Sequence, residues 1–210
     1  MLGRALARQL SRPEGVLGRI VARLMNRFNR DMSRMAIAAM EVARGDDVLE
    51  IGFGGGASLD PLLVAAGTGK VTGLDLSETM VLRAQRRFAW AVREGRLQVR
   101  LGQVEHLPFA GESFDRVLTS NTIYFWADAR RALAEIFRVL LPCGRLSLAF
   151  SPRSVLERGR LHPPGFILRD EAEVLQLVKG AGFVVGRVDR HEHPARGFVI
   201  IAADKPGRAG

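Results

Sequence analysis

Val48-Leu49-Glu50-Ile51-Gly52-Phe53-Gly54-Gly55-Gly56 carries an aliphatic run with one carboxylate directly into a glycine-rich turn. The run reads as a buried strand. Glycines at its end let the backbone turn sharply and let a ligand approach exposed amides at the start of the next helix, expected from residue 58. A nucleotide-like ligand fits such a turn. Gly52-x-Gly54-x-x-Ala57 also satisfies the dinucleotide pattern, so the glycines alone leave a dehydrogenase open.

Beyond this loop, short apolar runs alternate with helical periodicity. Strands are expected at 47–51, 70–74, 97–101, 116–120, 145–150, 183–188 and 198–203, with helices at 58–66, 77–94, 127–140 and 170–181. Such alternation implies right-handed crossovers and an α/β, doubly wound, mostly parallel seven-stranded sheet covered on both faces. The gap between the last two strands is too short for a parallel crossover, so they should pair antiparallel. The 151–169 connection, rich in Pro and Arg, is long enough to suggest a lid.

Ahead of the sheet, Ser11-Arg12-Pro13-Glu14 forms a capping box. Val16, Leu17, Ile20, Val21, Leu24, Met25 and Phe28 then recur at helical spacing, with Arg19, Arg23, Arg27 and Arg30 on the other side. This amphipathic helix should pack on its own domain, with a membrane-surface anchor as the alternative. The expected organisation is an N-terminal helical cap over 1–45, a ligand-binding domain over 46–205 and a tail over 206–210. Nothing in the first residues resembles a secretory or transit signal, and a cytoplasmic location is expected.

The 210 residues are 47% hydrophobic and 25% charged, enough for a sizeable core. A single cysteine, Cys143, excludes a disulfide framework and a multi-thiolate metal site, and no metal-ligand set is expected. The formal charge of +9 permits a polyanionic partner. Yet only Lys70, Lys179 and Lys205 are lysines in an arginine-, alanine- and glycine-rich chain, and no zinc-finger or RNA-recognition motif accompanies them. Nucleic acid is therefore not the expected partner.

Asp75 ends the second strand 23 residues after Gly52, where a carboxylate can accept hydrogen bonds from both hydroxyls of a ribose. Its alternative role is a cap for the helix from Ser77. Glu50-x-Gly52-x-Gly54-x-Gly56, Gly73-Leu74-Asp75-Leu76-Ser77-x-x-Met80, Glu105-x-Leu107-Pro108-Phe109 and Arg138-Val139-Leu140-x-Pro142-x-Gly144 follow in order. Together they resemble a class I S-adenosylmethionine-dependent methyltransferase, in the group similar to ubiquinone/menaquinone-biosynthesis methyltransferases.

The resemblance covers about residues 46 to 150 and implies a Rossmann-like fold with S-adenosylmethionine as cofactor and S-adenosylhomocysteine as product. It implies that Glu50 holds the methionine end and that Gly52, Gly54 and Gly56 let that end lie against the backbone. Asp75 would grip the ribose, Leu76 and Met80 would pack on adenine, Gln103 and Val104 would meet its edge, and Asn121 would lie near the methionine moiety. Two positions depart from the pattern. Gln103-Val104 replaces the usual Asp-Ala, giving an uncharged acceptor, and Cys143 replaces a turn glycine.

Methyl transfer chiefly requires alignment in a dry pocket, and a base helps only if the acceptor carries a proton. Candidate bases at the carboxyl ends of strands are His106, Tyr124, His191 and His193, with His162 in the 151–169 connection. The sequence does not choose among them. Tyr124-Phe125-Trp126, with Phe28, Phe150 and Phe166, supplies aromatic area for a small apolar or aromatic acceptor methylated at O, N or C. Ser120-Asn121-Thr122-Ile123 lacks the polar-Pro-Pro-aromatic motif of enzymes that methylate amino groups of DNA or glutamine. The remaining alternatives are a quinone or lipid methyltransferase docking on membranes and a non-catalytic cofactor-binding module, and the sequence leaves a homodimer open.

Overall fold

The computed structural model of the chain describes residues 30–159, 165–193 and 196–208. The capping box at Ser11, the amphipathic stripe from Val16 to Phe28, and His162 lie outside the described residues.

Seven strands form one sheet: β1 (Val48–Ile51), β2 (Val71–Asp75), β3 (Leu97–Leu101), β4 (Phe114–Ser120), β5 (Leu140–Phe150), β6 (Val184–His191) and β7 (Phe198–Asp204). Their order is β3-β2-β1-β4-β5-β7-β6. β1 to β5 are mutually parallel, and β7 runs antiparallel between β5 and β6. Strand order reverses between β1 and β4, which opens a crevice above their carboxyl ends.

Helices cover both faces: α1 (residues 30–40), α2 (Leu59–Ala66), α3 (Glu78–Arg87), α4 (Ala89–Arg93), α5 (Ala129–Val139), α6 (Arg153–Gly159) and α7 (Glu171–Gly180). Leu133, Ile136, Leu156, Val174 and Val178 bury one cluster with α5, α6 and α7. Met32, Ala36, Met40, Leu62, Ala84 and Phe88 bury the other with α1 to α4. α1 is pinned across the sheet where Ser147 Oγ donates to the Ala36 carbonyl at 2.8 Å. At its two ends, Ser120 Oγ lies 3.3 Å from Met32 Sδ, and Arg116 Nε donates to the Met40 carbonyl at 2.9 Å.

The observed elements follow the alternation, with local departures. The helix expected over 77–94 is interrupted at Phe88, whose buried ring sits at φ −107° and ψ 27°. The helix expected to 140 stops at Val139, because Leu140 already pairs with Phe114 and starts β5. Cys143 accepts φ +64° inside this extension, where its amide donates to the Lys205 carbonyl at 3.0 Å. Part of the 151–169 connection is helical as α6, entered through Pro152, whose carbonyl accepts from Val155 and Leu156.

Candidate functional site

β1 places Glu50 at the base of the crevice, level with Gly73 on β2 and Leu118 on β4. The side chain is buried, 4% exposed. Ser58 Oγ donates to Oε1, whereas Oε2 has no partner among the described residues. Burial pushes the carboxyl up to about 7, the charge of Asp75 adds to this, and the Ser58 hydrogen bond opposes it. An orphaned buried carboxylate oxygen is costly, and a cationic donor above it would remove the cost. Ser58, expected to start a helix, spends its hydroxyl on Glu50 and makes no capping bond.

The glycines above Glu50 have different reasons to be glycine. Gly52 lies at φ +75°, and a Cβ there would stand 2.3 Å from Thr122 Cγ2, so the β4 loop itself presses on this backbone. Gly54 lies at φ +51° with nothing within 4 Å of a Cβ position, which leaves the crevice open over it. Gly56 faces Phe88, 3.1 Å from where its Cβ would be.

Asp75 clasps this loop. Its Oδ2 accepts from Gly54 N at 2.8 Å and its Oδ1 from Ser77 N at 2.9 Å. It therefore ties the turn to the start of α3 while about two of its four lone-pair positions remain for a diol. Beside it, Leu76 is 60% exposed, and Leu101, the register partner of Asp75 on β3, is 54% exposed. These two make an apolar shelf. Met80 is half-buried, Val104 is buried, and exposed Gln103 pairs with His106 in an isolated bridge.

Across the switch point the β4 loop supplies the other wall. Asn121 sits at φ +58°, its amide donating to the Ala149 carbonyl at 2.9 Å. The buried Tyr124 hydroxyl accepts from Ser151 N at 2.5 Å and lies 3.2 Å from both the Ser151 carbonyl and Asn121 Oδ1. Burial pushes its ionisation far above the ordinary phenol range, so this hydroxyl stays protonated and joins the β4 and β5 loops. Its ring stacks on Phe166 with centroids 5.3 Å apart, and Phe125 meets Phe166 edge-on at 4.8 Å. Phe125 and Ile167 remain exposed beside them, while Trp126 and Phe150 belong to the core.

The histidines do not converge. His106 is exposed, its Nδ1 2.9 Å from Arg131 Nη2. His191 stacks on Phe198 at the end of β6, three strand spacings from β4 or roughly 14 Å, and His193 follows it. Ser58, Leu101 and Thr122 were absent from the residues singled out in the sequence. A serine opening a helix beside a buried acid, and an exposed leucine closing a strand, are the signals that mark the first two.

Residues 49–148 match the family model of a methyltransferase domain. The chain is 28% identical over 134 residues to the uncharacterized methyltransferase YdaC of Bacillus subtilis (strain 168), covering 64% of this chain and 72% of that protein. It is 36% identical over 114 residues to the demethylmenaquinone methyltransferase of Symbiobacterium thermophilum, covering 53% and 45%. The protein solved in complex with the Haloferax volcanii Trm112 methyltransferase activator superposes with a TM-score of 0.76 at 25% identity, over 88% of this chain and 93% of that one. Residues 49–148 form a methyltransferase domain on the Rossmann-like fold of S-adenosylmethionine-dependent methyltransferases. The chain spans less than half the length of several curated relatives that it matches. A SAM dependent methyltransferase from Aquifex aeolicus superposes with a TM-score of 0.68 at 24% identity, over 82% of this chain and 88% of that one. No helix among the described residues is long and apolar enough to cross a membrane.

Proposed function

We propose that this protein transfers the methyl group of S-adenosylmethionine to a small apolar or aromatic acceptor seated against Phe125, Phe166 and Ile167. The observation that carries this reading is the division of one crevice into two unlike halves. One half offers the orphaned Glu50 Oε2, the open backbone at Gly54 and the spare lone pairs of Asp75. The other is an aromatic wall beyond β4.

The donor set fits the cofactor. Glu50 would take the ammonium of its methionine end, Gly52, Gly54 and Gly56 would admit that end against the backbone, and Asn121 would close over it. Asp75 would accept from both ribose hydroxyls, and Leu76, Leu101 and Met80 would hold adenine, with Gln103 and Val104 at its edge. The bound sulfonium supplies an electrophilic methyl carbon. Thr122 packs the β4 loop against the glycine turn and Tyr124 ties that loop to the β5 loop, so the acceptor wall keeps a fixed distance from the cofactor half. Apolar side chains at that wall exclude water and align the incoming nucleophile, which can account for about 7 to 11 kcal/mol of barrier lowering in favourable cases.

Incubation of the purified protein with methyl-labelled S-adenosylmethionine and a small-molecule extract, followed by mass spectrometry, tests the reading directly. A labelled compound of low mass and apolar or aromatic character is expected. Label appearing only in macromolecules, or nowhere while calorimetry still registers cofactor binding, would overturn the assigned acceptor class. With the acceptor in hand, Phe125→Ala should raise its KM about tenfold and leave cofactor affinity unchanged.

A further inference from the structure

The outer face of the α3 and α4 rod carries a surface that the crevice does not use. Phe88 N donates to the Ala84 carbonyl at 2.9 Å, and Val92 N to the Phe88 carbonyl at 3.1 Å, so the rod continues across the Phe88 irregularity. On α3, Thr79, Leu82, Arg83 and Arg86 fall within an arc of about 100°, and beyond Phe88 the exposed Trp90 and Arg93 of α4 extend the same surface, away from buried Ala91. Val81, Ala84, Phe88 and Ala91 point the opposite way into the core. Leu82 and Trp90 are 46% and 43% exposed.

The charges on this arc are not compensated. The side chains of Arg83, Arg86 and Arg93 form no ion pair or hydrogen bond with another described residue. Glu94 stands just past the arc's edge, at the C-cap of α4. Toward the other edge of the sheet four arginines are matched instead: Arg153 with Asp170, Arg169 with Glu173, Arg187 with Asp189 and Arg190 with Glu171. The contrast separates an ordinary solvated surface from one that leaves three cations and two large apolar groups available.

We propose that the outer face of α3 and α4 docks on an anionic lipid surface, with Arg83, Arg86 and Arg93 at the headgroups and Leu82 and Trp90 entering the interface. Interleaving decides the choice of partner. A nucleic acid neutralises arginines but offers Leu82 no apolar phase, whereas a bilayer interface accepts tryptophan at headgroup depth and lets arginine stems lie along the boundary. The rod of 78–93 is about 24 Å long and lies flat in such a plane. Its amino end follows Asp75 and Ser77, so docking sets the crevice beside the membrane surface. The surface stands independently of the acceptor assigned above.

Flotation of the whole protein with phosphatidylcholine vesicles, with and without about a third phosphatidylglycerol, tests this. Binding is expected only to the anionic vesicles, weakening as salt rises. Trp90 emission should shift to the blue, against a constant background from buried Trp126. The exposed changes R83E, R86E and R93E together should lower partitioning about a hundredfold or more, with an unchanged melting temperature and cofactor affinity. Leu82→Asp, a single exposed substitution, should lower it about tenfold. No flotation at low salt, undiminished binding by the triple variant, or binding without a Trp90 shift would each overturn the proposal. So would capture by duplex DNA that excludes the vesicles.

Discussion

The two halves of the crevice are built by different means. The cofactor half is held by backbone: the Gly54 and Ser77 amides converge on Asp75, and only two carboxylates and a serine do its polar work. The acceptor half is held by side chains, with the Tyr124 hydroxyl joining two loops and Phe125 and Phe166 closing the wall. A backbone-held half tolerates little change in its few polar residues. A side-chain-held half can change its lining while its frame persists, which suits a part that selects one acceptor among many.

Asp75→Ala should break the cofactor half most severely. It removes two charge-assisted acceptors worth about 1.5 to 3 kcal/mol each, so calorimetry should show at least about a hundredfold loss of S-adenosylmethionine affinity. Some stability should go with it, since Gly54 and Ser77 lose their acceptor. An unchanged affinity would remove Asp75 from its role. The joint between the halves is tested by Gly52→Ala, whose methyl would collide with Thr122 Cγ2 at a positive φ. A loss of about 2 to 4 kcal/mol in urea unfolding is expected. Thr122→Ser, which deletes that Cγ2, should restore part of it.

Glu50 links the cofactor half to pH. An ammonium partner favours the ionised carboxylate, so cofactor affinity should rise about tenfold between about pH 6 and about pH 8, as the group titrates near 7. Glu50→Gln should flatten that profile. Stability of the ligand-free protein carries the opposite sign: a folded value raised above the ordinary carboxyl range stabilises at low pH, and that contribution is lost as pH rises through about 7. Tyr124→Phe should have the smallest effect, about 1 kcal/mol of stability, with cofactor affinity within about twofold because the ring still stacks on Phe166. A large loss of cofactor binding in this variant would show that the halves are not separable.

The same division governs what was legible beforehand. The strand ending in Gly52 and the carboxylate at Asp75 announce themselves, because backbone turns and strand ends leave fixed residue types at fixed spacings. Thr122 against Gly52 is invisible in sequence, since its contact joins elements 70 residues apart. The aromatics at 124–126 were legible as a group but not in their division, as helix and loop geometry alone send Trp126 inward and Phe125 outward. The start of β5 was hidden for a similar reason. Ile136, Val139 and Leu140 continue a helical apolar period, and only pairing with Phe114 turns Leu140 into strand.

α1 runs from Met32, beside the carboxyl-end residue Ser120, down to Met40 beside Arg116, and β7 brings Asp204 and Lys205 to that lower edge against Arg145 and Gly144. The polypeptide thus joins the domain next to the ligand entrance and leaves it on the far side. For surface immobilisation or labelling, a tether fixed at Arg208 keeps the entrance facing solution, whereas bulk attached at Arg30 crowds it.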